Sequence, residues 1–143
     1  MPEEPVEKNE AREPWTPEVM LEYICSELRA IADRVKDLNL QVWTAINEEG
    51  HDGKEIASLA GGFEDVAYSF VMSMNGWRTD VQLPQSVYVA CMQAAELVRA
   101  GIQFEAQCNR LLVETAAHQN DFGKPAQIMS TYAAQFRIAV MAL

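Results

Sequence analysis

An all-α fold, an antiparallel four-helix bundle, is the architecture predicted for these 143 residues. Three observations predict it. Four segments carry apolar residues at alternating steps of three and four, the signature of a helix with one buried face. Short runs rich in Gly, Pro, Asn and Asp separate them, which makes consecutive helices antiparallel neighbours. No segment alternates apolar and polar residues as a half-buried strand would; Val87–Val89 is β-rich, but its surroundings are helical.

The first 15 residues stand apart. Residues 1–14, MPEEPVEKNEAREP, hold three prolines, five glutamates and one bulky apolar residue after the initiator Met. Such a segment buries too little to order itself, so residues 1–15 are expected to form a disordered acidic tail ahead of a single domain over 16–143.

The first helix is expected over about 17–47. Thr16 is placed to cap it, Pro17 suits the first helical position, where a missing N–H costs nothing, and Glu18 complements the helix dipole. Trp15 can pack on Met20 as a hydrophobic staple. Leu21, Ile24, Leu28, Ile31, Val35, Leu38, Val42 and Ala45 then form an unbroken seam, the strongest periodic signal in the chain. The helix stops at Glu48–Gly53, a turn with two glycines.

Asp52 and Glu55 have capping-box spacing, so the second helix is expected over about 53–76, with Ile56, Leu59, Phe63, Val66, Phe70 and Trp77 on its seam. Gly61 and Gly62 interrupt it at a cost of about 2 kcal/mol relative to alanine. The seam keeps its phase across them, which predicts a continuous or mildly kinked helix and a place where another backbone comes close. Pro84 opens a third helix, expected to about 119, whose seam alternates small and large residues: Val87, Ala90, Ala94, Leu97, Gly101, Phe104, Cys108 and Leu111. After a turn at Asn120–Lys124, Pro125 is expected to open a fourth helix to 143, with Met129, Tyr132, Phe136, Val140 and Leu143 on one face.

Charge is unevenly distributed. Residues 1–80 hold 17 acids and 7 bases, the whole of the net −10, whereas residues 81–143 hold 4 of each. A surface helix is normally polar over more than half its circumference. The fourth helix carries Arg137 as its one charge beyond residue 125, and the third has a second apolar stripe off its seam: Tyr88, Met92, Ala95, Ile102, Ala106 and Val113. Apolar surface of this extent marks a contact. The expected partner surface therefore comprises Met92, Ile102, Val113, Phe136, Val140 and Leu143, serving a homodimer or another protein. In the competing reading the third helix is central and wrapped by the other three.

The chemistry searched for gives little. Three cysteines, Cys25, Cys91 and Cys108, fall inside helices without close pairing and are expected to be small buried hydrophobes. A Glu-x-x-His pair, as used by di-iron bundles, occurs once, at Glu48–His51, with no second copy. Glu114 and His118 read as a surface pair at a helix end. Nucleophile, phosphate-loop and dinucleotide motifs are absent from the sequence. The expectation is a non-catalytic interaction or assembly protein without metal or cofactor. The acidic composition argues against direct nucleic-acid binding. No run approaches the roughly 20 apolar residues of a membrane span, and no signal peptide is recognised, so cytoplasmic residence is expected. Two alternatives have sequence motives. The acidic half suits an antagonist that occupies a nucleic-acid-binding site on a partner. Trp43, Tyr68, Trp77 and Arg78 could line a small-ligand pocket between helices.

Overall fold

The computed structural model describes residues 16–48, 52–76, 82–113 and 122–143. They form four helices, α1 (Pro17–Asn47), α2 (Gly53–Gly76), α3 (Gln85–Val113) and α4 (Gly123–Met141), with no strand among the described residues. The expected tail at 1–15, the Trp15 staple and the last turns of α3 beyond Val113 lie outside the described residues.

Each helix start has a local cause. Thr16 Oγ1 accepts a hydrogen bond from the Val19 N–H at 3.1 Å, and Pro17 occupies the first turn, as the sequence predicts. At α2 the Asp52 carboxylate accepts from the Lys54 N–H at 3.0 Å, while the Glu55 N–H bonds the Asp52 carbonyl. The cap residue is thus the expected one, but its side chain serves a donor one position earlier than a capping box would. α3 begins directly after Pro84, whose carbonyl accepts from Tyr88. α4 begins two residues before the expected position, at Gly123. Pro125 still fits, because the first-turn N–H groups lack intrahelical partners in any case. Phe122, expected in a solvated turn, is a buried core residue, and its carbonyl accepts from Ala126.

The helices form a ring in chain order. α2 and α3 make the most extensive contact, α3 packs on α4, and α1 closes the ring against α2 and α4; the α1/α3 diagonal barely touches. The seams read from sequence meet in the middle. Ile24, Leu28, Ile31, Val35 and Val42 of α1 face Ile56, Phe63 and Phe70 of α2, Leu97, Phe104 and Cys108 of α3, and Met129 and Phe136 of α4 in one core cluster. Leu21, Leu38, Leu59, Val66, Leu111 and Tyr132 are half-buried at its margin.

α2 runs unbroken through Gly61 and Gly62. A Cβ on Gly62 would meet Leu38 Cδ2 of α1 at 3.0 Å, and one on Gly61 would meet the Glu105 carboxylate of α3 at 3.0 Å. The closest backbone approach is elsewhere. A Cβ on Gly101 of α3 would lie 2.7 Å from the backbone nitrogen of Glu64 in α2. Gly101 and the alanines of α2 and α3 (Ala60, Ala67, Ala90, Ala94) let these two helices press together. The Phe63 and Phe104 rings fill the space beside them, tilted 51° with centroids 6.0 Å apart.

α1 and α4 are joined differently. Trp43 Nε1 of α1 donates to Ser130 Oγ of α4 at 2.8 Å, and Ser130 Oγ donates to Asn39 Oδ1, back on α1, at 2.8 Å. No described helix is long and apolar enough to cross a membrane.

Candidate functional site: the outer face of α3

The ring arrangement leaves α3 with a free side. Its seam points inward, with Val87, Ala90, Ala94, Leu97, Gly101, Phe104 and Cys108 buried. Because α3 touches α1 so little, it is not a central helix wrapped by the other three. Its second stripe is on the surface: Tyr88 is 51% exposed, Met92 and Ile102 are each 48% exposed, and Val113 is 86% exposed. Ala95 and Ala106 are exposed between them.

The stripe has a regular grammar. Tyr88, Met92, Ala95, Arg99, Ile102, Ala106, Asn109 and Val113 follow one another at steps of four and three, and all eight are exposed. α3 therefore carries two heptad seams on opposite sides, one spent on its own core and one uncovered. At the N-terminal end the stripe borders an apolar groove of about 260 Å³ between α2 and α3, where Phe70, Val71, Met74 and Leu83 face Tyr88, Cys91 and Met92. At the other end exposed Ile128 of α4 lies beside it, across a small cleft lined by Gln103 and Gln107.

The other residues expected at this surface divide. Phe136 is fully buried and Val140 nearly so, and both belong to the core; Leu143 is half-buried against it. Phe136 and Val140 correct the expected surface: the face of α4 that they share with Met129 turns into the core. The large exposed apolar residues of α4 are Ile128, Ile138 and Met141.

Of the four residues expected to line a ligand pocket, two fall among the described residues. Trp43 is committed to Ser130, and Tyr68 is an exposed residue of α2. Trp77 and Arg78 lie outside the described residues, as do His51, Glu114 and His118.

No group of three His, Cys, Asp or Glu side chains could hold a metal ion among the described residues. Two thiols are held protonated. Burial pushes the Cys91 thiol up to about 11, with nearby Cys25 adding to the effect, and burial pushes Cys108 up to about 12, with Glu105 adding to it. A nucleophilic cysteine needs the opposite surroundings. One buried polar atom, Gln93 Oε1 on α3, has no hydrogen-bond partner among the described residues. Comparison with known protein families, characterised proteins and solved structures finds no match.

Proposed function

We propose that this protein is a non-catalytic assembly module that self-associates through the outer face of α3. The observation that carries this reading is the exposed heptad stripe from Tyr88 to Val113, a second helix-pairing seam with no partner among the described residues. A helix of the same kind is the natural complement for such a seam, and two-fold pairing is the commonest way to supply one.

Charge favours an antiparallel pair. In a parallel pair Arg99 would face Arg99 of the second copy, bringing like charges together in the seam. An antiparallel pair with its two-fold axis between residues 100 and 101 sets Arg99 against Ile102, Met92 against Asn109 and Ala95 against Ala106. The two alanine pairs allow close approach, and the polar positions fix the register.

Light scattering behind a sizing column tests this reading. A dimer is expected at tens of micromolar, and Met92→Glu or Ile102→Glu should convert it to a monomer that keeps its helical signal and melting temperature. A wild-type protein that stays monomeric at that concentration would sink the proposal. Val140→Glu is expected to behave differently, unfolding the bundle by burying an unpaired charge.

A further inference from the structure

A second cleft lies between α1 and α4, away from the α3 stripe, with a volume of about 440 Å³. That is within the range of small-molecule sites, about 300–1,000 Å³. Its chemistry is unusual for so acidic a chain. Arg29 and Lys36 of α1 and Arg137 of α4 line it, three of the eight lysines and arginines among the described residues. None of the three is ion-paired to a carboxylate among the described residues. Asp33 is the single acid in the lining, one helical turn from both Arg29 and Lys36. The rest is apolar: Ala32 on α1, and Val140, Met141 and Leu143 on α4.

We infer that this cleft binds a small amphipathic anion, a carboxylate or phosphate monoester carrying an alkyl or aryl body. Arg29 and Lys36 are seven residues apart on one face, roughly 10 Å along the axis, and both side chains are long enough to converge on a head group between them. Arg137 reaches the same space from the facing helix. Guanidinium forks pair with carboxylate or phosphate oxygens through two parallel hydrogen bonds, which gives the head a defined seat. Asp33 offsets one of the three charges, leaving an excess suited to a mono- or dianion. The body lies on Val140, Met141 and Leu143, where the unbranched Met141 side chain, 81% exposed, can adapt to it. The inference does not depend on self-association, since the cleft involves neither α3 nor its stripe.

Calorimetric titration of the full chain with octyl phosphate, inorganic phosphate and octanol tests it, all kept below the concentration at which octyl phosphate aggregates. Saturable one-to-one binding of octyl phosphate is expected, with each of the other two probes weaker by about tenfold or more, because each lacks half of the recognition. The double variant Arg29→Gln/Arg137→Gln should weaken octyl phosphate by about tenfold or more, whereas Arg34→Gln, outside the cleft, should not. Absence of saturable binding, or affinity unchanged in the double variant, would overturn the inference. If the double variant loses helical signal, the single change Lys36→Gln gives the same reading at an exposed position. Phosphatidate-containing vesicles added as competitor identify the source of the anion. Competition supports a lipid head group, and its absence supports a free molecule.

Discussion

The α2/α3 and α1/α4 pairings solve the same problem in opposite ways. α2 and α3 meet through small residues, so closely that a single Cβ on Gly101 would reach 2.7 Å from the Glu64 backbone. α1 and α4 meet through a hydrogen-bonded bridge, Trp43–Ser130–Asn39, at one point and leave a charged cleft at another. Close packing leaves no room for a ligand and makes α2/α3 the rigid half of the bundle. A looser contact, held by directional bonds, leaves room for one. The contrast explains why the cleft lies where it does, and it makes the two halves respond differently to the same kind of substitution.

The largest effects are expected from emptying each half. Phe63 packs against Phe104 on the tight side, and Phe63→Ala should cost about 4 kcal/mol because the surrounding backbone has little freedom to collapse. Phe136 is equally buried but belongs to α4, which borders the open cleft, so Phe136→Ala should relax further and cost about 3 kcal/mol. Urea unfolding of both variants measures the difference. If Phe136→Ala is the more costly, the two halves are not distinguished by their rigidity.

Gly101→Ala comes next. Alanine gains about 1 kcal/mol in helix propensity, but its Cβ must displace backbone rather than side chain, an overpacking cost of about 3 kcal/mol. A net loss of about 2 kcal/mol is expected in the same unfolding assay. A neutral result would mean that α2 and α3 can separate at little cost, and the tight half would lose its defining property.

How far the sequence made this contrast legible follows from what periodicity encodes. The step pattern identifies which residues of α1, α2 and α3 face inward, and Ile24, Phe63 and Leu97 are buried as it predicts. Periodicity does not encode the distance between two helices. The Gly61–Gly62 pair therefore draws attention as a place of close approach, while the tightest contact is at the lone Gly101, one small residue in a seam of several. The stripe on α3 was readable because its two seams are separately periodic. Phe136 and Val140 share a periodic face with Met129, but the scarcity of charge on α4 makes that face look like a contact surface, whereas it is core. The cleft was not legible at all: Arg29 and Lys36 look like an ordinary solvated face, and only the fold brings Arg137 opposite them.

On the looser side the hydrogen-bonded bridge is expected to carry a measurable but moderate share. Ser130→Ala removes the acceptor for Trp43 Nε1 and the donor to Asn39 Oδ1 together. All three residues are half-buried, so water can reach part of what is released, and a loss of about 1 kcal/mol is expected. Tryptophan fluorescence during unfolding would report the change at Trp43 itself. A loss as large as that of Gly101→Ala would make the bridge a structural keystone and narrow the contrast between the two halves.

The smallest effect should be a gain. Gly61 sits in the same helix as the backbone that Gly101 approaches, yet its added Cβ would meet only the Glu105 carboxylate, at 3.0 Å to Oε2. That group ends a flexible side chain and can swing away for a few tenths of a kcal/mol. The helix-propensity gain of alanine over glycine is about 1 kcal/mol, so Gly61→Ala should stabilise by about 0.5 kcal/mol. Measured beside Gly101→Ala, it isolates the obstacle from the chemistry: both are glycine-to-alanine changes at the α2/α3 contact, one meeting backbone and the other a movable carboxylate. Opposite signs would locate the tightness of the α2/α3 contact at Gly101. Equal losses would show that the whole length of the contact is closed to an extra methyl group, including the stretch that faces the Glu105 side chain.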